Sequence, residues 1–308
     1  PVTGSAQQRC HGAGVVQGGG GQNFASLWRC VGIFTRHQFC PIYAFFEFNL
    51  SLYTSFKRRR QARRMQPITI RSILEKDGIR KKGNDMDPEI KAALDKLFAS
   101  DSQLYQNRGF QRRIGWGKKP ALVNIDLANA WTREDNAFTC EGMDTVIPAT
   151  QQVLAAFRAK GLPIVFTTTA YDIIEGEHSD MGLWGKKIPA EVLRVGSEAV
   201  QIDDRLERRD NELLIVKKQA SGFRGTNLNS YLNACGVDTV VITGATASAC
   251  IRATVEDAIA DGFRPIIVRE CIGDRIAGAV EWNLYDIDAK FGDVESLDDV
   301  LEHMRRNT

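Results

Sequence analysis

The stretch Thr239-Val-Val-Ile-Thr-Gly-Ala-Thr-Ala-Ser-Ala-Cys250 decides the fold. It joins a short apolar run to a turn of small residues, and an apolar helical pattern begins at Cys250. Other short apolar runs alternate with helical stretches in the same way, at residues 121–125, 163–166, 213–216 and 265–268. Such runs are typical of strands buried on both faces of a parallel sheet. The repeated strand–helix units therefore predict a Rossmann-like three-layer α/β/α sandwich with a mostly parallel central sheet.

The charge distribution points to a small-molecule partner. The chain has 308 residues, of which 43% are hydrophobic and 25% charged, enough for one sizeable α/β domain or two small ones. Nine of its 40 Lys and Arg, but only one of its 38 Asp and Glu, lie in the first 65 residues, so the remaining body is mildly acidic. Binding of nucleic acid requires a concentrated basic face. We therefore expect a small-molecule substrate and no nucleic-acid partner.

Cysteine and histidine usage predicts metal-free chemistry in a reducing compartment. The seven cysteines form no CxxC pair and no regular framework, which favours the cytoplasm over an oxidising compartment. Of the four histidines, only His178 and His303 lie beyond residue 65, too few for a metal cage or a histidine-based triad. We therefore expect no metal and no cofactor.

Three segments are predicted along the chain. Residues 1–64 are Arg-rich and nearly free of acids, and we expect either a non-native segment or a leader, organelle targeting included. Their apolar stretch at 41–56 contains Glu47 and is shorter than the ~20 residues that a membrane span needs, so no membrane partner is expected. Residues 65–118 are predicted to form an N-terminal helical arm, whose helix has Asp87 as its N-cap and Pro88 as its first residue. Residues 119–308 are predicted to form the main domain.

A reactive set of side chains is expected where the strands end, because ligands of open parallel sheets bind at the carboxyl ends of the strands. Asp126 and Lys217 each directly follow a predicted strand, and Cys250 follows the strand and turn quoted above. A helix start and a nearby lysine favour a thiolate, while an aspartate can take the thiol proton and return it to a leaving amine. Backbone N–H groups at the turn would stabilise a tetrahedral oxyanion, so the set is complete for acyl transfer. Each residue alone also has an ordinary structural interpretation: Cys250 as a small buried residue, Asp126 as a turn or helix cap, and Lys217 as a solvated side chain.

Five motifs lie between residues 108 and 296. They are Arg108-Gly-Phe-Gln-Arg-Arg-Ile-Gly, Val123-Asn-Ile-Asp-Leu-Ala-Asn-Ala-Trp131, Asp180-Met-Gly-Leu-Trp184, Thr243-Gly-Ala-Thr-Ala-Ser-Ala-Cys250 and Trp282-Asn-Leu-Tyr-Asp-Ile-Asp288. Together they resemble motifs of the isochorismatase-like cysteine hydrolases. The resemblance implies the isochorismatase-like hydrolase fold for residues 119–308 and a catalytic triad of Asp126, Lys217 and Cys250. It selects Lys217 over Lys218 through the family pattern Lys-x-x-x-Ser-x-Phe, in which this chain carries Gly222 where Ala is usual.

The same resemblance implies further site residues. A cis peptide bond before Thr246 would orient the N–H groups of Thr246 and Cys250 as an oxyanion hole. Arg275 would hold a substrate carboxylate, for which a guanidinium is a bidentate match, with a surface ion pair as the alternative. Trp131 and Trp184 would wall the pocket, unless they serve packing or subunit contacts. A homo-oligomer, specifically a tetramer, is also implied.

The predicted activity is amide hydrolysis. The resemblance implies an amidohydrolase that releases ammonia from a small N-carbamoyl amino acid through a covalent thioester on Cys250. Maleamate or another short acid amide is the alternative substrate, because related amidohydrolases share the Cys-Ile-Arg and Asp-Ile-Asp-x-Lys-x-Gly-Asp features present here. A nicotinamidase is disfavoured, since its metal-site histidines have no counterpart around residues 167–178.

Two hypotheses from other functional classes remain open, a dehydrogenase and a binding module without catalytic activity. The turn after Thr243, with Glu270 downstream, could be the dinucleotide loop of an NAD(P)-binding short-chain dehydrogenase. The glycine expected at the helix start is absent, however, and no Tyr-x-x-x-Lys follows. A catalytically silent binding module is disfavoured because every member of the implied triad is retained.

Overall fold

The computed structural model describes residues 86–173 and 179–306. The expectations for residues 1–64 and for His178 lie outside the described residues. Within them, one sheet of six parallel strands has the order β3-β2-β1-β4-β5-β6. The strands are β1 (Pro120–Ile125), β2 (Ile164–Thr169), β3 (Leu213–Lys217), β4 (Thr239–Ala245), β5 (Arg264–Gly273) and β6 (Asp293–Glu295).

Helices connect the strands and cover both faces of the sheet. They are α1 (Pro88–Asn107), α2 (Asn129–Thr132), α3 (Met143–Ala159), α4 (Leu228–Ala234), α5 (Arg252–Ala260), α6 (Ala277–Lys290) and α7 (Leu297–Arg306). Between β2 and β3 the chain forms short 3₁₀ turns at Gly182–Lys186, Ala190–Leu193, Glu198–Val200 and Asp204–Leu206. None of the described helices is long and apolar enough to cross a membrane.

Two apolar clusters lie on opposite faces of the sheet. In β1, Leu122 belongs to the first cluster, with side chains of α3 and α7, whereas Ala121 and Val123 belong to the second, with side chains of α4, α5 and α6. This alternation follows from the pleat of a strand, in which successive side chains point to opposite faces. The predicted α/β/α sandwich with a parallel sheet is therefore confirmed.

Two elements differ from the sequence expectation. The helix expected to begin at Cys250 begins at Arg252, because Ala247–Ile251 forms a π-helical turn in which the Ile251 N–H bonds to the Thr246 carbonyl five residues earlier. The short strand β6 was not predicted, since Asp293–Glu295 contains only one apolar residue. It forms an edge of the sheet, and the Asp293 carboxylate accepts hydrogen bonds from backbone N–H groups of residues 114 and 115.

Helix α1 has the predicted N-terminus. The Asp87 side chain accepts a hydrogen bond of 2.8 Å from the first helical turn, and Pro88 is the first residue. Phe98 stacks on Tyr285 of α6 with ring centroids 4.4 Å apart. No side chain of α1 is fully buried, and Leu97 remains exposed. The limits 65–118 for this arm stay a prediction.

Candidate active site

The three residues of the predicted triad lie together at the carboxyl ends of strands. Asp126 follows β1, Lys217 is the last residue of β3, and Cys250 lies in the π-helical turn beyond β4. Their exposed fractions are 0%, 0% and 4%. Lys217 Nζ is 2.8 Å from Asp126 Oδ2 and 3.4 Å from Cys250 Sγ. Lys218, in contrast, forms an ion pair with Asp180. The structure thus brings the three side chains into one buried cluster.

The backbone at Asp126 turns its carboxylate towards β2. The φ angle of Asp126 is 51°, in the left-handed region that few residues other than glycine adopt. Its N–H donates to the Thr167 carbonyl at 3.1 Å. Its carboxylate accepts hydrogen bonds from the hydroxyls of Thr167, at 2.8 Å, and Thr169, at 3.0 Å. Unusual backbone conformations of this kind cluster at functional sites.

Burial and mutual charge set the protonation states in the cluster. Burial alone would lower the pKa of Lys217, but the negative charge of the adjacent Asp126 raises it above its ordinary value. Burial raises the pKa of the Cys250 thiol to about 12, although the Lys217 ammonium opposes this effect. In the resting cluster, Lys217 is therefore an ammonium and Cys250 a protonated thiol.

Gly222, the departure from the family pattern, does not disturb the cluster. A Cβ placed there would have its nearest atoms at 3.4 Å, on Ile125 and Leu228. The Gly222 N–H donates to the Thr254 hydroxyl at 2.9 Å, a bond that any residue other than proline would keep. Glycine and alanine are therefore both compatible with this position.

The turn that carries Cys250 depends on a glycine at the end of β4. Gly244 has a φ of 126°, and a Cβ there would lie 1.9 Å from the Ile125 carbonyl oxygen. Only glycine allows β4 to approach the end of β1 so closely. The peptide bond between Ala245 and Thr246 is cis. Thr246 is buried, and its place in the oxyanion hole stays a prediction.

A buried carboxylate that the sequence analysis missed holds this turn. Asp274 follows β5 directly and is 2% exposed. Its Oδ2 accepts hydrogen bonds from the Ser248 N–H, at 2.9 Å, and the Ser248 hydroxyl, at 2.7 Å. Its Oδ1 accepts from the Arg275 N–H at 2.7 Å. The strand-end position that drew attention to Asp126 could have identified Asp274 as well.

Arg275 is half-buried next to this carboxylate. Within residues 86–173 and 179–306 its guanidinium forms no ion pair or hydrogen bond, unlike Arg252, which pairs with Asp286 and Glu256. An unpaired guanidinium in such a position can accept an anionic ligand. The alternative of a surface ion pair for Arg275 is therefore not supported among the described residues.

The two predicted tryptophans occupy different environments. Trp131 is 3% exposed and packs against Phe138 with ring centroids 5.3 Å apart, which indicates a role in the core. Trp184 is half-buried in the first 3₁₀ turn and packs against both apolar clusters. A pocket-wall role fits Trp184 better than Trp131 and stays a prediction for both.

Thr167 and Thr169 were also missed by the sequence analysis. Their only signal is the run Thr167-Thr-Thr169 at the end of an apolar stretch, and threonine is an ordinary strand residue. No group of three or more His, Cys, Asp or Glu side chains in the described part of the chain is arranged to hold a metal ion.

Known proteins resemble this chain in both sequence and structure. Residues 120–299 match the isochorismatase domain family. The N-carbamoylsarcosine amidase of Arthrobacter sp. is 52% identical over 224 residues, which cover 72% of this chain and 84% of that protein. The maleamate amidohydrolase of Pseudomonas putida is 37% identical over 195 residues, 63% of this chain and 91% of that protein. The crystal structure of an isochorismatase-like hydrolase from Alkaliphilus metalliredigens superposes with a TM-score of 0.51 at 25% identity, covering 60% of this chain and 98% of that one.

These likenesses decide between the classes considered for this sequence. The dehydrogenase alternative is not supported, because the turn after Thr243 leads into a buried Cys250 beside Lys217 and Asp126. The family match covers more than half of the chain. The chain belongs to the isochorismatase family and is a hydrolase that acts on amide carbon–nitrogen bonds.

Proposed function

We propose that this chain hydrolyses the terminal C–N bond of a small N-carbamoyl amino acid, with N-carbamoylsarcosine as the expected substrate. The observation that carries the proposal is the buried Asp126, Lys217 and Cys250 cluster, with Arg275, which has no ion-pair partner among the described residues, just after the strand next to β4. A thiol nucleophile with a carboxylate base suits attack on a carbonyl, and a free guanidinium suits the acid group of the substrate. The 52% identity to an N-carbamoylsarcosine amidase supports the carbamoyl substrate.

The first half of the reaction forms a thioester. Asp126 takes the proton of the Cys250 thiol, and the sulfur adds to the ureido carbonyl carbon. The N–H groups of Thr246 and Cys250 stabilise the resulting oxyanion. The tetrahedral intermediate collapses with cleavage of the terminal C–N bond, and ammonia leaves with the proton that Asp126 returns. Lys217 remains an ammonium throughout and stabilises whichever of its two neighbours is negative.

The second half of the reaction hydrolyses the thioester. Asp126, ionised again, takes a proton from water as the water oxygen adds to the thioester carbonyl. The C–S bond breaks, and the Cys250 sulfur regains a proton from Asp126. The released N-carboxy amino acid loses carbon dioxide and leaves an amine such as sarcosine.

The experiment that tests the proposal compares ammonia release from N-carbamoylsarcosine and from maleamate, with and without prior alkylation by iodoacetamide. Because Cys235 is half-exposed, a Cys235→Ser variant serves as the matched control, in which alkylation must still abolish activity. Cys250→Ser should lower turnover by at least about a thousandfold. Near-normal turnover of Cys250→Ser would contradict the thioester mechanism.

Maleamate is the second candidate substrate. The 37% identity to a maleamate amidohydrolase favours it, and Arg275 could hold the carboxylate of either compound. Ammonia release from maleamate alone would keep the roles of the triad and change the assignment of the pocket. Arg275→Met should raise the KM for whichever acid is turned over by roughly 10–100-fold, because it removes a charged pair of hydrogen bonds.

We also propose a homotetramer in the cytoplasm, with residues 119–308 as the hydrolase domain. Exposed apolar side chains such as Leu97, Ile276 and Trp282 support subunit contacts. Unpaired cysteines at all four described positions support a reducing compartment. Light scattering after size-exclusion chromatography would give the mass of the assembly, and a monomer would contradict the proposal.

A further inference from the structure

Two threonines of β2 contact both carboxylate oxygens of Asp126. The Thr167 hydroxyl is 2.8 Å from Oδ1, and the Thr169 hydroxyl is 3.0 Å from Oδ2. Both threonines are fully buried. A buried hydroxyl is costly unless it is hydrogen-bonded, and in both cases the Asp126 carboxylate provides the partner.

The pleat of β2 explains why residues 167 and 169 act as a pair. Side chains two residues apart in a strand share one face, so Thr167 and Thr169 point to the same side of the sheet. Thr168 points to the other side, and its hydroxyl donates to the Val200 carbonyl at 2.7 Å. The parallel register pairs Ile125 with Thr167, which brings Asp126 to the level of the two hydroxyls.

The neighbouring donors fix the direction of each hydroxyl. Lys217 Nζ is 2.6 Å from Thr169 Oγ1, and an ammonium can only donate, so the single hydroxyl proton of Thr169 is directed to Asp126. Thr167 Oγ1 likewise accepts from the Asp126 N–H at 3.3 Å and directs its proton to the carboxylate. Both hydroxyls therefore donate to Asp126.

Lys217 cannot hold Asp126 alone. Its three N–H bonds have four acceptors within 3.4 Å: Thr169 Oγ1, Asp126 Oδ2, the Gln219 carbonyl at 3.1 Å and Cys250 Sγ. At any moment one acceptor receives no strong hydrogen bond from the ammonium. The two hydroxyls therefore provide hydrogen bonds that keep the carboxylate in place when the ammonium turns towards the sulfur.

We propose that Thr167 and Thr169 are positioning residues that aim the Asp126 carboxylate at the Cys250 thiol and favour its ionised form. The inference rests on the proposed function, since it assigns Asp126 the transfer of the thiol proton. Hydrogen bonds donated to a carboxylate favour its ionised state, and loss of either hydroxyl would remove one such bond from Asp126. Among the described residues, the other titratable groups facing this carboxylate are Lys217, Cys250 and the buried Cys140.

The test uses valine, which has the shape of threonine without the hydroxyl. Thr167→Val and Thr169→Val should each lower kcat by roughly 10–100-fold and move the acid limb of the kcat/KM profile up by about one pH unit. Thr169→Ser keeps the hydroxyl, and its kcat should stay within about threefold of that of the native enzyme. Thr168→Val is the matched control, because it removes an equally buried hydroxyl from the opposite face and should leave kcat and the pH profile unchanged.

Two outcomes would overturn the inference: a native pH profile in both Thr167→Val and Thr169→Val, or an equal loss of activity in Thr168→Val. The rate of Cys250 alkylation by iodoacetamide, measured against pH in the same variants, needs no substrate. In Thr169→Val, the acid limb of the alkylation rate should move up by about one pH unit, as expected for the kcat/KM profile. If the native protein hydrolyses neither N-carbamoylsarcosine nor maleamate, the proposed function fails, and the alkylation profile alone decides whether the threonines control the proton of this cluster.

Discussion

Replacement of Lys217 by methionine should destabilise the fold far more than replacement of the lysine next to it. Lys217 and Asp126 are both fully buried with 2.8 Å between the charged atoms. Removing one partner of a buried ion pair costs about 3–5 kcal/mol, because the other charge is left uncompensated. The hydroxyls of Thr167 and Thr169 still stabilise the carboxylate, so we expect Lys217→Met to lower the free energy of unfolding by about 3 kcal/mol.

A double variant separates the charge effect from simple loss of packing. Asp126→Asn combined with Lys217→Met removes both charges, and it should lose less free energy of unfolding than Lys217→Met alone. Lys218→Met is the control, because its partially exposed pair with Asp180 should contribute at most about 1 kcal/mol. Urea denaturation followed by tryptophan fluorescence, at one protein concentration, measures all three. A loss below about 1 kcal/mol in Lys217→Met would refute the buried ion pair.

Further predictions concern the backbone at Gly244, the stability of the fold at acid pH and the turn that carries Cys250. Gly244→Ala would place a Cβ 1.9 Å from a backbone oxygen, and we expect a loss above about 4 kcal/mol or no folded protein; a Tm within a few degrees of the native value would contradict this. Burial alone would raise the pKa of Asp203, but hydrogen bonds from Arg205 lower it to about 2, below the ordinary 3.8. The stability this carboxylate provides is present above about pH 4 and lost as the pH falls towards 2, so thermal melts of Asp203→Asn should show a shallower decline over that range. Asp274→Asn should lower kcat by roughly tenfold or more, since it disturbs the turn that carries Cys250 and the proposed oxyanion hole. Alkylation of Cys250 should stay nearly unchanged, because alkylation forms no oxyanion; parallel losses in both rates would indicate general misfolding.

The layered fold was predictable because the central strands β1, β2 and β4 are buried on both faces. Runs such as residues 121–125 and 239–243 are short and mostly apolar. Their length distinguishes them from helices, and the lack of apolar–polar alternation distinguishes them from surface strands. Strand β6 was not predicted, because contacts distant in sequence hold it in place. It pairs with β5, and the Asp293 carboxylate accepts hydrogen bonds from the N–H groups of residues 114 and 115. Those partners are far away in sequence. A three-residue strand with one apolar side chain has no local signal.

The candidate site was predictable where one rule of topology applied. Asp126, Lys217 and Cys250 each come at or after the end of a strand, and parallel strands bring those ends to one edge of the sheet. Thr167 and Thr169 also come at the end of a strand, but threonine is an ordinary strand residue, so their type gave no sign of a role in the site. Their contact with the carboxylate requires the register of β2 on β1 and the positive φ of Asp126, neither of which can be read from residue types.

The composition of the cluster explains how a deeply buried thiol can act as a nucleophile. Ionising Cys250 by releasing its proton to water would create a new buried charge, and burial raises the pKa of the thiol to about 12. Transfer of that proton to Asp126 instead moves one negative charge from oxygen to sulfur, and the net charge of the cluster does not change. Lys217 contacts both atoms, at 2.8 Å and 3.4 Å, so it can follow the charge with a small rotation of its ammonium. Burial therefore opposes loss of the proton to solvent without opposing its transfer within the cluster, which is the first step of the proposed mechanism.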